Sequence, residues 1–571
     1  MKDGTFTADR LIALYDRVAE AGDAIPRLRR FVLDLAVRGK LVEQDPSDEP
    51  AAELLKRIAK EKARLAKAGI IRKPKTFETV EDVPFALPGT WAWSRIREVT
   101  TDRGQKIPNA RFTYIDVSAI NKDAGVIEAP TVLDPGEAPS RARKVVSKGD
   151  VIYSCVRPYL LNVAVVEQEI EPAPIASTAF AIVNGMGLIH PRFIWIVLRS
   201  PFMVTAVEQS QRGQAYPAIN DADFAVLPFP LPPLAEQQRI VTKVDELMAL
   251  CDQLEAARAG REAVRDRLTA VTLSRLTAPE TDAETFPTHA RFALQSLPTL
   301  TTRPDQIKTL RQTILNLAVR GKLVEQDLTD EPAAELLKRI AREKDRLFKA
   351  GETGPLKVAP ALEESDLPFV VPQGWAWTQL SSIGVVSPRV RADDTDVASF
   401  VSMSMIPAEL RAPHTHEVRR WGEIKKGYTT FAEGDVGLAK ITPCFENGKS
   451  TVFRGLAGGL GAGTTELHVV RPVLMSPDYI LLFLKSPMFV EAGIPRMTGT
   501  AGQKRVPTEY FSASPFPLPP LAEQHRIVAK VDALMALCDK MEASLTTATT
   551  TRSRLLEATL HAALARSSQV A

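Results

Sequence analysis

Apolar residues Ala51, Leu54, Leu55, Ile58 and Leu65 fall at intervals of three and four, which predicts an amphipathic helix ending at Gly69. Ser47 and Asp48 are good N-cap types, and Pro50 suits a first turn. The same stripe returns at Leu336, Leu337, Ile340 and Leu347 and predicts a second helix over about 332–351. Beyond the prolines at 230, 232 and 233, Ile240, Val244, Leu247, Cys251 and Leu254 alternate at four and three, the spacing of a coiled-coil seam. Ile527, Val531, Leu534, Cys538 and Met541 repeat it. Continued to Leu276, the first of these helices would run for about 60 Å at ~1.5 Å per residue. A seam this regular also suits the core of a bundle, and spacing alone leaves both arrangements open. The intervening stretches read differently. Short β-rich runs at 151–153, 163–166 and 401–405 stand between Gly, Pro, Asp and Asn turns, with helical patterns at 193–198 and 479–484. They predict two α+β domains of about 140 residues each.

The repetition extends to the letters. Leu35 to Asp45 (LAVRGKLVEQD) recurs unchanged at Leu317 to Asp327, and Glu49 to Ala59 (EPAAELLKRIA) at Glu331 to Ala341, both at an offset of 282. Asp82-Val-Pro-Phe85 and Trp91-Ala-Trp93 return as Asp366-Leu-Pro-Phe369 and Trp375-Ala-Trp377, at 284. Pro228 to Gln237 (PFPLPPLAEQ) returns as Pro515 to Gln524, at 287. A period this long excludes solenoids built on about 20–50 residues and describes one duplication of a half-protein. Between the matched ends, about 95–227 and 380–514 have drifted apart, with few landmarks left: Gly149-Asp150-Val151 against Gly434-Asp435-Val436, Pro158 against Pro443, and Gly213-Gln214 against Gly502-Gln503. Two elements with one mechanical job and two different recognition surfaces would produce this contrast.

Composition narrows the class without choosing a function. Hydrophobic residues make up 45% of the chain and charged residues 25%, an ordinary globular mixture. The formal charge of +3 is too small to announce a nucleic-acid binder by itself. Acids among the apolar residues of the first 23 positions, and the lack of any apolar run near 18 residues, point to a cytoplasmic protein. Cys155, Cys251, Cys444 and Cys538 form no Cys-x-x-Cys pair and read as reduced structural thiols.

Two drifted domains, each framed by a helical piece and by a PLPPLAEQ segment entering a long helix, resemble the specificity subunit of type I restriction-modification systems over the whole chain. The residues that carry the resemblance are Leu231 to Gln237 with Ile240-Val241, Leu518 to Gln524 with Ile527-Val528, and the two LAVRGKLVEQD copies. The resemblance implies an α+β architecture with two α/β target recognition domains held apart by long antiparallel coiled-coil-like helices in a pseudo-twofold duplication. The implied boundaries are 1–80 for an N-terminal helical region, 81–230 for the first recognition domain, 231–361 for a central helical spacer, 362–516 for the second recognition domain and 517–571 for a C-terminal helical spacer. It further implies double-stranded DNA, two methyltransferase subunits and motor-nuclease subunits as partners, a bipartite target read half by each domain, and no catalysis or cofactor in this chain. A system whose methyltransferase and nuclease share one partner chain is a near alternative, and a helical scaffold with two modules that bind no DNA is a more distant one.

Phosphate contacts need Lys, Arg and backbone amides, whereas base reading needs forks and amides such as Arg, Gln and Asn. Such residues cluster at matched stations. The first domain offers Arg103, Gln105 and Lys106, then Arg157 with Asn162, then Arg212, Gln214, Tyr216 and Asn220. The second offers Arg389 and Arg391, then Lys440 with Asn447, then Gln503, Lys504 and Arg505. Catalytic readings fail on spacing. Gly448-Lys449-Ser450 resembles the end of a phosphate loop, but Pro443 stands where its first glycine belongs, so a turn is expected. The Gly458 to Gly463 stretch lacks a dinucleotide-binding spacing, and His414-Thr-His416 lacks a third ligand at useful spacing. Glu423-Ile-Lys425 lacks the upstream aspartate of a metal-dependent nuclease, and the chain has no Asn-Pro-Pro-aromatic tetrapeptide of an adenine methyltransferase.

Overall fold

A computed structural model describes residues 7–18, 21–78, 80, 83–213, 217–278, 284–354, 362–500 and 502–566. The chain divides into two compact units, one made of 1–260 with 548–571 and the other of 261–547. The long helices Leu234–Thr277 and Leu521–Arg566 therefore each begin in one unit and end in the other. Leu556 and Leu560, near the end of the chain, pack into the main core of the first unit with Leu11, Leu28 and Phe31. In the second unit Leu273 and Leu276 pack with Ala293 and Leu317. Among the described residues no helix is long and apolar enough to cross a membrane.

The drifted segments share one topology. In the first unit a four-stranded sheet runs in the order Thr131–Leu133, Phe112–Ile115, Pro174–Ser177, Ala142–Val145, with its central pair parallel. The second unit repeats the order with Glu417–Arg420, Val397–Val401, Leu460–Gly463 and Thr429–Ala432, again with a parallel central pair. A further antiparallel sheet, Phe180–Val183, Val151–Ser154, Val163–Val165, is matched by Leu467–Pro472, Val436–Ala439, Ser450–Val452, which gains Gly384–Val386 at one edge.

The surviving Gly-Asp-Val landmark explains part of this agreement. Gly149 and Gly434 turn at φ 85° and 84°, where a side chain is disfavoured. The next residues, Asp150 and Asp435, are buried and accept the backbone N–H of Ser147 (2.8 Å) and Ala432 (2.7 Å). Each needs a cation, and each finds one from a different place: Arg103 pairs with Asp150 (2.6 Å), whereas Arg471 forks onto Asp435 (2.8 and 2.9 Å).

The unchanged letters build one joint in each unit. Strand Ala92–Arg95 pairs antiparallel with Pro228–Leu231, and Ala376–Gln379 with Pro515–Leu518. Two-stranded ladders tolerate these prolines because a missing N–H can face away from the partner. At the start of each long helix, Glu236 accepts the Trp91 indole N–H (3.0 Å) and the Gln44 amide (2.6 Å), and Glu523 accepts Trp375 (2.9 Å) and Gln326 (3.2 Å). Burial pushes both carboxyls above the usual range, against the pull of those donors. Gln237 and Gln524, fully buried, accept the backbone N–H of His190 and Ser476 and so lock the helix onto the drifted segment.

Two local expectations are corrected. Ser47 and Asp48 do not cap the helix: it runs Ala51–Lys67 with Pro50 at the N-cap, and the Ala51 N–H bonds to the Thr90 carbonyl (2.9 Å). Ser47 bonds Asp45, while Asp48 pairs with Arg239 (2.5 Å), as Asp330 does with Arg526 (2.7 Å). The second strand expected at 401–405 ends at Val401, and Met403–Met405 forms a single 3-10 turn. The predicted seams resolve as core. Ile240, Val244, Leu247 and Cys251 are buried in the main core of the first unit, and Ile527, Val531 and Cys538 in that of the second. The helical patterns at 193–198 and 479–484 appear as Pro191–Arg199 and Pro477–Lys485.

Candidate functional site

In each unit drifted stretches lie beside these sheets and pair with one another. In the first, the chain leaving Val151–Ser154 passes Arg157 and Leu161 at φ 48° and 54°, and the intervening turn exposes Tyr159. This stretch pairs with a returning loop: the Arg157 N–H bonds the Pro217 carbonyl (2.8 Å) and the Ile219 N–H bonds the Cys155 carbonyl (3.0 Å). Ala218 in turn pairs with Arg212. The exposed side chains of Arg157 and Arg212 thus rise from the two strands that flank Ala218 in one small ladder. The third stretch, with Arg103, Gln105 and Lys106 all exposed, runs beside strand Ala142–Val145 through a Gln105–Lys144 bridge and a Lys106 N–H to Arg143 carbonyl bond (2.8 Å). The Lys144 ammonium then reaches Asp221 (2.8 Å), tying this edge to the end of the returning loop.

The second unit repeats the plan. The Thr442 N–H bonds the Lys504 carbonyl (2.9 Å), the Val506 N–H bonds the Lys440 carbonyl (2.8 Å), and Arg505 pairs with both Ile441 and Thr498. Asn447 is exposed on the turn that follows. Arg389 and Arg391 are exposed on the segment leading to Val397–Val401, where Val390 packs against the small core of Ala398, Trp421, Ile424 and Ala462, and Pro388 accepts the Thr430 hydroxyl (3.4 Å). Because Thr429–Ala432 corresponds to Ala142–Val145 in the strand order, these two arginines stand at the station of Gln105 and Lys106.

Several side chains have other duties. Asn162 is only 8% exposed and lies inside the fold beside Ser154. Asn220 caps the short helix Asp221–Ala225, its side-chain oxygen accepting the N–H groups of Ala222 and Asp223. Arg103 is held by Asp150, Arg212 by Asp223 (3.0 Å), and Arg505 by both oxygens of Glu466 (2.9 and 2.8 Å). Arg505 keeps the Glu466 carboxyl below its usual range. Lys440 is half-buried, whereas Gln503 and Lys504 are exposed at the loop tip. Gln214 and Tyr216 lie outside the described residues.

The ladders also correct the loop alignment. Ala218 and Arg505 occupy equivalent bridges, as do Arg212 and Thr498, so the second loop is one residue longer. Lys504 therefore stands where Pro217 does, and Gly213 faces Gly499 rather than Gly502 in this register. Glu466 was invisible to sequence reading: it meets Arg505 across 39 residues, and no local signal marks the pair.

The sequences set aside as catalytic have structural roles. Gly448 turns at φ 65° into strand Ser450–Val452, and His414 is buried with Nε2 accepting the Arg454 N–H (3.1 Å). Lys425 pairs with Asp394. Among the described residues no group of three or more His, Cys, Asp or Glu side chains is placed to hold a metal ion.

Comparison with known proteins finds a match to the type I restriction modification DNA specificity domain over residues 146–260. That span holds the Arg157 and Arg212 loops and the joint at Glu236. The chain is 50% identical over 257 residues to the type I restriction enzyme EcoEI specificity subunit of Escherichia coli, covering 44% of this chain and 43% of that one. It is 49% identical to the EcoAI specificity subunit of the same organism, covering 44% of each. The match therefore spans less than half the length of either relative. A solved structure, the HsdS subunit from Thermoanaerobacter tengcongensis, is similar at 23% identity with a TM-score of 0.41, covering 84% of this chain and 98% of that one.

Proposed function

We propose that this chain is a member of the type I restriction-modification specificity-subunit family and selects DNA for a complex whose chemistry lies in other subunits. In this reading each unit grips one half of a bipartite duplex target through its loop ladder, and the long helices fix the gap between the halves. Partner methyltransferase and motor-nuclease subunits supply modification and cleavage, and the chain acts in the cytoplasm as a non-catalytic subunit.

The observation that carries this reading is the pairing of one strand order with two unlike sets of loop tips. Scaffolds of one strand order, with Tyr159, Arg157 and Arg212 on one and Gln503, Lys504 and Asn447 on the other, suit two readers of different base sequences. Arg, Gln and Asn offer the forks and amides that discriminate base edges, while Lys and backbone N–H groups suit phosphates. The pinned arginines, Arg103 and Arg505, serve as struts that hold neighbouring tips in place.

Single-molecule sequencing of methylated DNA from cells carrying the intact system tests the reading. Replacing Gln503, Lys504 and Arg505 by alanine should change or relax one half of the methylated motif and leave the other half and the gap unchanged. Loss of both halves in a folded protein, or methylation of one uninterrupted motif, would refute it.

A further inference from the structure

The two buried aspartates reveal an exchange of residues between the copies. Val151 pairs with Val183 and Val436 with Val470, so the residues that follow, Asn184 and Arg471, occupy one position. Thr101 pairs with Asn184 and Val385 with Arg471, which makes Ser387 the counterpart of Arg103. The first copy therefore has an amide at the strand end and an arginine on the following loop, and the second has an arginine at the strand end and a serine on the loop.

The aspartates give the exchange its physical reason. Asn184 donates its amide to Asp150 (2.6 Å) while its side-chain oxygen accepts the Met186 N–H (2.8 Å). An amide brings no charge, so the cation that a buried carboxylate needs comes from Arg103 on the loop. Arg471 supplies both the charge and the fork to Asp435, and Ser387 is exposed without that duty. The paths of the two loops differ accordingly. With Arg103 held, the Val145 N–H bonds the Gly104 carbonyl (3.2 Å), the Lys106 N–H bonds the Arg143 carbonyl, and the stretch lies along strand Ala142–Val145. In the second copy Ser387 turns at φ 53°, and among the described residues neither Arg389 nor Arg391 enters a β-bridge.

We propose that the residue ending this strand, Asn184 or Arg471, is a specificity-determining positioning residue. By leaving or meeting the charge of the buried aspartate, it decides whether the next loop is anchored along the sheet edge or released, and so what that loop presents to one half of the target. The inference rests on the proposed function. It assigns a role to two residues that need touch no base themselves.

Methylation sequencing of cells carrying the intact system with the altered chain provides the test. Asn184→Arg should give Asp150 a fork of its own and free Arg103, lowering base discrimination in one half of the motif by about tenfold. The other half and the gap should be unchanged. Arg471→Asn with Ser387→Arg should alter the opposite half alone, and this pair carries the test if Asn184→Arg does not fold. Urea unfolding checks the exchange without reference to DNA. Arg103→Ser should lower the midpoint by about 0.5–1 M, and Asn184→Arg added to it should restore most of that loss. Absence of such rescue would overturn the charge exchange. Rescue with an unaltered motif in both folded transplants would reduce the two residues to structural ones and overturn the positioning role, leaving the bipartite function intact. An uninterrupted motif from the unaltered chain would overturn the function itself.

Discussion

Gly39→Ala probes the joint that the unchanged letters build. Gly39 sits at φ 66°, and a Cβ placed there would lie 2.4 Å from Pro88 Cγ and 2.8 Å from its Cδ, with Trp91 at 3.3 Å. Gly69 sits at φ 72° with nothing within 4 Å of such a Cβ. Both substitutions carry the cost of a left-handed alanine, about 1–2 kcal/mol, and both gain the same unfolded-state entropy term of about 0.4–1 kcal/mol. Only Gly39→Ala adds overpacking, about 1–3 kcal/mol, because Pro88 is a rigid ring and the nearby Trp91 indole is itself held by Glu236. The difference between the two variants therefore isolates the close approach. With a urea m-value of about 3 kcal/mol/M it should appear as a midpoint lower by about 0.3–1 M in Gly39→Ala than in Gly69→Ala, followed by tryptophan fluorescence. The second copy supplies a replicate, Gly321 against Pro372 (2.5 Å) and open Gly351. Coincident unfolding curves for Gly39→Ala and Gly69→Ala would refute the reasoning.

Other outcomes follow from burial. Leu556→Ala should cost about 2–5 kcal/mol and speed amide exchange across 1–260, although Leu556 lies near the far end of the sequence; faster exchange confined to 261–547 would contradict the division into units. Burial pushes the Cys155 and Cys251 thiols up to about 12 and about 11, so a thiol reagent at pH 8 should leave both unmodified in the native protein and label them after unfolding. Burial lowers Lys62 to about 8 and Lys485 to about 7, against 10.5 for an ordinary lysine. Between these folded values and 10.5 the unfolded chain binds more protons, so stability should rise with pH across about 7 to 10.5, and the penalty is fully present below that window. Lys485→Met should flatten the lower part of that rise in urea titrations at stepped pH, and an unchanged slope would count against a buried, destabilised ammonium at 485.

Much of the scaffold was legible because it rests on local signals. The stripe from Leu54 to Leu65 and the seam from Ile240 to Leu254 follow helical periodicity, and the buried Cys251 and Cys538 fit their seam positions. The duplicated letters coincide with a joint built twice, in which Gln44, Trp91 and Glu236 are partners whose chemistry cannot be exchanged without leaving a buried group unpaired. The proposed DNA-facing residues were legible only as stations. Arg157, Arg212 and the 503–505 tip do come together on ladders, but Asn162 turned inward, Asn220 became a cap, and the second loop runs in a different register.

The sequence alone determined the duplication and the amphipathic helices, because periodicity and repeated letters are properties of neighbours along the chain. Only the tertiary structure decided that the drifted halves share one strand order, that Asp150 and Asp435 take their arginines from different places, and that Leu556 belongs to the core of the first unit. Those facts depend on which distant groups satisfy a buried charge or fill a cavity. Several side chains can meet such a demand equally well, so it leaves no fixed spacing in the sequence.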